Sequence, residues 1–174
     1  MKPIYLALGS NLGDREEHLQ SAIHGLAKRG IYTLRSASVY STEPRDVLDQ
    51  PWFLNTVIEA NSALEPAELL RACLDVEKEN HRTRDFTKGP RTLDIDVLFY
   101  GNEIILKPGL TIPHPNLSAR RFVLVPLAEI APAFVDPLSG KTVHQLLDDC
   151  SDSATVTLVS DALIFSRPSP SAPQ

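Results

Sequence analysis

Apolar positions near the start of the chain form one strand-like run, then a helical stripe, then a second strand-like run. Residues 4–8 are a short apolar run ending at Gly9, which predicts a buried first strand. Over residues 15–28 the apolar side chains recur at helical spacing, and Asp14 is placed to cap that helix. Residues 31–40 alternate and predict a second strand. One side of that strand carries Ile31, Thr33, Arg35, Ala37 and Val39.

The middle of the chain continues the series with a strand, a helix and a charged segment. Residues 53–61 alternate and contain β-branched residues, which predicts a third strand. Glu65-Pro66 is expected to begin a second helix that runs to about Asn80, because proline is accepted in a first helical turn. Residues 81–92 are charged and contain Gly89-Pro90, so we expect a mobile loop.

A fourth strand completes the core pattern. Residues 93–100 alternate, and residues 103–106 are expected to pair back after a turn at Gly101-Asn102. The order βαββαβ predicts an α+β protein of ferredoxin-like fold, in which helices pack on one face of an antiparallel sheet.

The remainder of the chain is less regular. Residues 123–129 predict a helix or an extended segment, residues 143–147 a short helix, and residues 155–159 a last strand. Residues 166–174 contain three prolines and three serines, which predicts a disordered tail. We therefore expect a single domain over residues 1–165.

Composition narrows the class of protein. With 17 basic and 22 acidic residues the net charge is −5, which argues against nucleic-acid binding. The two cysteines, Cys73 and Cys150, have no zinc-binding spacing and fit a reducing compartment. No run resembles a signal peptide or a membrane helix, so we expect a cytoplasmic protein with no membrane partner.

Asp94 and Asp96 are the first candidates for chemistry. Residues two apart on a strand point to the same face, at about 7 Å between their Cα atoms. Two such carboxylates can hold Mg²⁺, which prefers oxygen ligands and accepts phosphate oxygens for its remaining positions. The alternative is a solvated polar face of an edge strand.

Basic side chains surround the aspartates in sequence. Arginine neutralises phosphate oxygens and stabilises the charge that develops in phosphoryl transfer. The alternatives are a solvated loop for the upstream residues and a backbone-bonded turn for the histidine. The set comprises Arg82, Arg84, Lys88, Arg91, His114, Arg120 and Arg121.

A third group combines aromatic rings with an amide. Phe53 and Asn55 share one face of the third predicted strand, and Phe122 lies downstream. A ring that stacks and an amide that reads polar edges suit a flat heterocycle, whereas the alternative is ordinary core packing. The segment from Gly9 to Asp14 lacks a phosphate-loop pattern and is interpreted as a structural turn.

Together these segments resemble the 6-hydroxymethyl-7,8-dihydropterin pyrophosphokinase family of folate biosynthesis. The resemblance covers roughly residues 2–150. It rests on the stretches Leu8-Gly9-Ser10-Asn11-Leu12-Gly13, Gln50-Pro51-Trp52-Phe53-Leu54-Asn55, Gly89-Pro90-Arg91-Thr92-Leu93-Asp94-Ile95-Asp96, Ile112-Pro113-His114 and Arg120-Arg121-Phe122-Val123-Leu124 with Pro126-Leu127, and on Glu77, Arg82 and Arg84.

The resemblance implies transfer of pyrophosphate from MgATP to the hydroxymethyl oxygen of the pterin, giving AMP. It implies that Asp94 and Asp96 bind two Mg²⁺ ions, which bridge the triphosphate and the incoming hydroxyl. Arg82 and Arg91 would hold the transferring phosphates. The expected partners are ATP and 6-hydroxymethyl-7,8-dihydropterin, with the protein acting as a monomer.

The resemblance also assigns the remaining site residues. Loops at 43–52 and 82–91 would close over the substrates. The pterin would be read by Asn55, sandwiched by Phe53 and Phe122, and bounded by backbone around Thr42 and Arg45. The residues expected to bind ATP are Glu77, Arg84, Lys88, Val97, Thr111, His114 and Arg120.

Departures from the family pattern put rate and affinity in question more than reaction type. They include His81 and Lys88 in the charged loop, Phe53 in place of a tyrosine, and Pro115 after the histidine. Two alternatives stay open at this point: a non-catalytic ferredoxin-like module that binds RNA or senses a small ligand, and a different magnesium-dependent nucleotidyl or phosphoryl transferase.

Overall fold

A computed structural model describes residues 2–44, 49–80 and 92–166. In chain order its strands and helices are β1 (Ile4–Ser10), α1 (Arg15–Ala27), β2 (Ile31–Ser36), β3 (Val39–Thr42), β4 (Phe53–Ser62), α2 (Pro66–Glu79), β5 (Asp94–Tyr100), β6 (Ile105–Lys107), β7 (Leu110–Ile112), a 3-10 turn (Leu117–Ala119), α3 (Arg121–Ile130), α4 (Val143–Asp149) and β8 (Val156–Ser160).

The six-stranded sheet has the order β5-β1-β4-β3-β8, and β2 also pairs with β4. Every pairing in it is antiparallel. Strand β1 lies between β4 and β5, so the two βαβ halves interleave as the ferredoxin-like arrangement requires. The predicted fold class is confirmed.

Both predicted core helices form where the apolar spacing placed them. The Asp14 carboxylate accepts a hydrogen bond from the backbone N–H of Glu17 at 3.1 Å and caps α1, as expected. At the start of α2 the Glu65 N–H donates to the Glu68 carboxylate at 3.3 Å, with Pro66 in the first turn. The buried sides of α1 and α2 contribute to one core on the sheet.

The predicted second strand is instead two strands, β2 and β3. A register shift between Thr33 and Arg35 turns Arg35 toward solvent, where it pairs with Glu59 at 2.6 Å. The pairing of β2 with β4 ends at Ser36, and the chain pairs with β4 again through β3. The prediction that Arg35 shares a side with Ile31 was therefore wrong.

Residues 103–106 do not pair back onto the sheet as predicted. Residues of β6 pair with β7 in a separate two-stranded sheet. Gly109 has φ +78° between these two strands, a conformation that glycine adopts without steric cost, so Pro108-Gly109 closes a hairpin of its own.

The sheet is covered on both faces rather than one. Helix α3 contacts β4 and β3, and α4 packs against α3, which builds a second core. Tyr5, Phe99 and Phe134 pack there in edge-to-face and tilted arrangements, with ring centroids 4.8–6.2 Å apart. The ambiguous segment 123–129 is helical, and its apolar face is what closes this second core.

The last described residues belong to the body of the protein. The predicted final strand is confirmed as β8, which pairs with β3. Leu163 then packs into the α1 side of the core. The domain extent 1–165 stays a prediction, and residues 167–174 of the predicted tail lie outside the described residues. Among residues 2–44, 49–80 and 92–166, no helix is both long and apolar enough to cross a membrane.

Candidate active site

A cleft of about 390 Å³ opens where the end of β1 meets the starts of β4 and β5. Antiparallel pairing creates this meeting point, because Gly9 is in register with Asn55 on one side and Asp94 on the other. The lining residues are Ala7, Leu8, Gly9, Thr42, Glu43, Pro44, Gln50, Phe53, Asn55, Asp94, Asp96, His114, Pro115, Asn116, Arg120 and Phe122.

The carboxylate end of the cleft consists of Asp94, Asp96 and His114. The two aspartates are half-buried and alternate along β5 with the buried Ile95. They therefore share the face that lines the cleft. The strand geometry that the sequence predicted for this pair is present.

A buried glutamate fixes the beginning of β5. The backbone N–H of Ile95 donates to Glu77 Oε1 at 2.8 Å, and Glu77 is only 2% exposed. Because Ile95 lies between the two aspartates, this hydrogen bond holds the part of β5 that carries both of them against α2. Glu77 supports the carboxylate end from α2 and does not itself line the cleft.

His114 faces Asp96 as a neutral ring. Its Nε2 lies 3.9 Å from Asp96 Oδ2, and its Nδ1 accepts from the backbone N–H of Asn116 at 3.2 Å. Burial lowers the pKa of His114 to about 4, the Arg120 cation acts in the same direction, and Asp94 opposes them. At neutral pH the proton therefore resides on Nε2, directed at the carboxylate end.

The aromatic end of the cleft consists of Thr42, Phe53, Asn55 and Phe122. The Asn55 amide is buried, and its Nδ2 donates to Thr42 Oγ1 at 2.6 Å. Phe53 comes from β4 and Phe122 from α3, and both are half-buried. The Arg120 guanidinium lies 5.7 Å from the centre of the Phe122 ring, within cation–π range.

Gly9 contributes to the site and was not predicted to. A Cβ atom at this position would lie 2.5 Å from Asn55 Oδ1, closer than a Cβ atom approaches a non-bonded oxygen. Gly9 is part of β1 and leaves room for the amide, so its assignment to a structural turn is corrected. The available signal was a glycine within an apolar strand run, which often marks a close approach.

The approach to β4 also supplies lining residues that were not predicted individually, although they lie in the loop 43–52 that was expected to close over the substrates. Asn11 Nδ2 donates to Gln50 Oε1 at 2.9 Å and to the Pro51 carbonyl at 3.0 Å. These bonds place Gln50 against the cleft, while Glu43 and Pro44 enter from the end of β3. Glu43, Pro44 and Gln50 follow no recognisable spacing in the sequence, so their place in the cleft is seen only in the folded chain.

The remaining predicted site residues fall elsewhere. Val97 is buried in the core, and Thr111 is exposed on β7, where it pairs with Leu106; neither lines the cleft. Their proposed contacts with the base of ATP stay predictions. Five other predicted site residues lie outside the described residues, namely Arg45, Arg82, Arg84, Lys88 and Arg91.

The donor set at the carboxylate end suits a metal that shares its ligands with a substrate. Within the part of the chain that the structure describes, no group of three or more His, Cys, Asp or Glu side chains is arranged to hold a metal ion. Two half-buried carboxylates fit Mg²⁺, which keeps waters and takes phosphate oxygens as its other ligands.

The chain is similar in sequence to one family of known proteins. Residues 5–132 match the model of a family described as 7,8-dihydro-6-hydroxymethylpterin-pyrophosphokinase. A Synechocystis 2-amino-4-hydroxy-6-hydroxymethyldihydropteridine pyrophosphokinase is 44% identical over 149 residues, covering 84% of this chain and 76% of that protein. The Bacillus subtilis protein of the same name is 44% identical over 127 residues, covering 72% and 76%.

Some relatives are much longer than this chain. It is 40% identical over 148 residues to the folic acid synthesis protein fol1 of Schizosaccharomyces pombe, covering 84% of this chain but only 20% of that protein. The crystal structure of Plasmodium falciparum HPPK-DHPS wild type superposes with a TM-score of 0.66 at 13% identity, covering 84% of this chain and 44% of that one. At that identity the superposition shows a shared fold.

Proposed function

Because the chain belongs to the 7,8-dihydro-6-hydroxymethylpterin-pyrophosphokinase family, we propose that it transfers pyrophosphate from ATP to 6-hydroxymethyl-7,8-dihydropterin in folate biosynthesis. One observation carries the proposal: Gly9 is in register with both Asn55 and Asp94, so one cleft joins an amide beside aromatic rings to a pair of carboxylates. A flat heterocycle and a phosphate chain can therefore meet there.

The proposed reaction is a displacement at the β-phosphorus of ATP. The hydroxymethyl oxygen of the pterin forms a bond to that phosphorus, and the bond from the β-phosphorus to the oxygen bridging to the α-phosphate breaks. AMP leaves with that bridging oxygen, the pterin keeps the β- and γ-phosphates, and the hydroxyl proton is released. The cleft favours this step mainly by holding both reactants in line.

Asp94 and Asp96 are the residues we propose as magnesium ligands. The proposal includes two ions, as the family resemblance implies, and the pair offers four carboxylate oxygens for them. Bound there, Mg²⁺ would neutralise the triphosphate and polarise the attacking hydroxyl. Glu77 holds the strand that carries the pair in place, through its hydrogen bond with the Ile95 N–H.

Charge and polarity at the carboxylate end are divided between two side chains. Arg120 lines the cleft as a permanent cation and is proposed to bind ATP phosphates. His114 is neutral, so its Nε2–H is a donor for Asp96 or a phosphate oxygen rather than a second charge. Further proposed contacts to ATP come from Glu77, Arg82, Arg84, Lys88, Arg91, Val97 and Thr111.

The aromatic end is proposed to bind the pterin. Thr42 Oγ1 takes one donor of the Asn55 amide and so fixes which way the amide faces. Phe53 and Phe122 would stack on the two sides of the ring, with backbone near Thr42 and Arg45 completing the pocket.

We also propose a cytoplasmic protein that acts as a monomer. Both cysteines are free, which fits a reducing compartment. Within one chain the described lining brings together the carboxylates, the amide and the aromatic rings. Size-exclusion chromatography with light scattering tests the monomer, and a dimer at working concentration would overturn it.

The deciding experiment for the reaction follows nucleotide products. The protein is incubated with ATP, Mg²⁺ and 6-hydroxymethyl-7,8-dihydropterin, and we expect one AMP for each pterin diphosphate. A reaction without the pterin serves as the control and is expected to leave ATP intact. Formation of ADP would indicate a different phosphoryl transfer, and absence of turnover would favour a non-catalytic binding module.

A further inference from the structure

Residues 151–160, which we name the C-terminal brace, connect the two walls of the aromatic end. One wall is the start of α3, which carries Phe122, and the other is the end of β3, which carries Thr42. The brace follows α4 and ends in β8, and it lies beyond the residues 5–132 that match the family model. It is not itself part of the cleft lining. Its hydrogen bonds nevertheless reach residues on both sides of that lining.

The first connection is to the start of α3. Asp152 Oδ2 accepts from the backbone N–H of Arg121 at 3.0 Å, and Asp152 Oδ1 accepts from the N–H of Ala154 at 3.0 Å. The first N–H groups of a helix have no partner within the helix, and a carboxylate there is favourable for the helix dipole. Arg120 makes no side-chain cap, so Asp152 supplies one from a distant segment.

This cap acts directly next to the lining. Arg120 and Phe122, which flank Arg121, both line the cleft. The other end of α3 is fixed separately, because Tyr40 Oη donates to Glu129 Oε1 at 2.8 Å. Asp152 thus fixes the end of α3 that carries the Phe122 ring.

The second connection is to the end of β3. The Glu43 N–H donates to the Thr155 carbonyl at 3.3 Å, and the Thr155 N–H donates back to the Glu43 carboxylate. Strand β8 then pairs with β3 so that Val156 lies opposite Thr42. Thr42 in turn accepts the hydrogen bond from Asn55. The brace therefore also supports the β3 wall, through Thr155 and Val156, a few residues after Asp152.

We propose that the C-terminal brace sets the separation of the two walls of the aromatic end, with Asp152 as a positioning residue for the pterin; this rests on the proposed function. Both walls are tied to positions only a few residues apart in the brace, so loss of either tie lets Phe122 move relative to Asn55. The carboxylate end is held from α2, through the hydrogen bond between the Ile95 N–H and Glu77. Pterin affinity should therefore depend on the brace more than ATP affinity does.

The test measures KM for the pterin, KM for MgATP and kcat in three variants of Asp152 and one control. Asp152→Ala removes the cap. Asp152→Ser keeps a hydroxyl for the Ala154 N–H, but its shorter side chain does not reach Arg121, so it carries the test if the alanine variant folds poorly. Asp152→Asn keeps an oxygen that can accept from Arg121. Asp161→Ala changes an exposed acid of the same region and is the matched control.

We expect a rise of about three- to tenfold in pterin KM for Asp152→Ala and Asp152→Ser, the range that loss of a helix cap implies. MgATP KM should rise by less than pterin KM, because Arg120 adjoins the cap whereas Asp94 and Asp96 are held through Glu77, and kcat should change by less than about twofold. Asp152→Asn should recover most of the pterin affinity, and Asp161→Ala should match the wild type. Equal losses for both substrates, or no loss for either, would overturn the assignment.

Amide hydrogen exchange separates failure of this inference from failure of the proposed function. In Asp152→Ala the amides at the start of α3 should exchange faster than in the wild type, whatever reaction the protein catalyses. If the wild type forms no AMP, the proposed function fails while this measurement still decides whether Asp152 holds the wall. Unchanged exchange at Arg121 would show that it does not.

Discussion

Asp94 and Asp96 reach the cleft from a single strand, whereas the residues of the aromatic end arrive from separate elements. Strand periodicity alone puts the aspartates on one face. Thr42, Asn55 and Phe122 come from β3, β4 and α3, which meet through strand pairing and through the packing of α3 on the sheet. The first end depends on local geometry, and the second depends on packing between distant segments.

This difference in construction has a functional counterpart. The carboxylate end is proposed to act on the reacting phosphates, so its residues should govern kcat. The aromatic end is proposed to hold a heterocycle away from the bond that breaks, so its residues should govern pterin KM. Variants at the two ends can therefore separate the two roles.

The largest expected effect comes from the aspartates. Asp94→Asn or Asp96→Asn keeps the shape of the side chain but removes the charge that would hold the metal, so AMP formation should fall by about a thousandfold or more. Thermal unfolding should be little changed because both side chains are half-exposed. Asp161→Asn is the control, and near-normal AMP formation in either site variant would exclude the metal assignment.

The next effect concerns the support beneath the carboxylate end. Glu77→Ala leaves the buried Ile95 N–H without this acceptor and should lower the free energy of unfolding by about 2 kcal/mol in urea titrations. Glu77→Gln retains an acceptor and should lose less. If both variants unfold like the wild type, Glu77 does not hold β5, and its predicted contact with ATP would be the better explanation of its burial.

A smaller effect is expected where the two ends adjoin. In Gly9→Ala the new methyl group would displace the Asn55 carbonyl, so pterin KM should rise by about ten- to thirtyfold while MgATP KM changes little. Asn55→Ala removes the clash partner, and adding Gly9→Ala to it should cost little more. Fully additive losses in the double variant would show that Gly9 acts through something other than the amide.

Sequence patterns predicted the parts of the fold that depend on burial alone. The strands and helices of the core follow the spacing of residues such as Leu6, Leu19 and Leu69, all fully buried. The break after β2 left no trace in that spacing, because Ala37, within the break, and Val39, at the start of β3, are both buried. A register shift changes backbone pairing without disturbing the apolar pattern.

The site residues also divide into those that local periodicity predicts and those that depend on partners distant in sequence. Asp94 and Asp96 were identifiable as a pair from strand periodicity, although the assignment of a metal needed the wider resemblance. Gly9 was misassigned because its role is to leave space for Asn55, which is distant in sequence. Asp152 escaped notice for a related reason, since its partner is a backbone N–H at the start of a helix that the sequence left undecided.

The smallest effect tests how the amide at the aromatic end is oriented. Thr42→Val keeps the volume of the side chain but removes the oxygen that accepts from Asn55 Nδ2, leaving a buried donor without this partner. Pterin KM should rise by about three- to fivefold with kcat nearly unchanged, since the carboxylate end is untouched. Thr42→Ser restores the hydroxyl and should restore the affinity. A fall in kcat with constant pterin KM would mean that the two ends are not separable, because the orientation of the amide would then control the reacting phosphates as well.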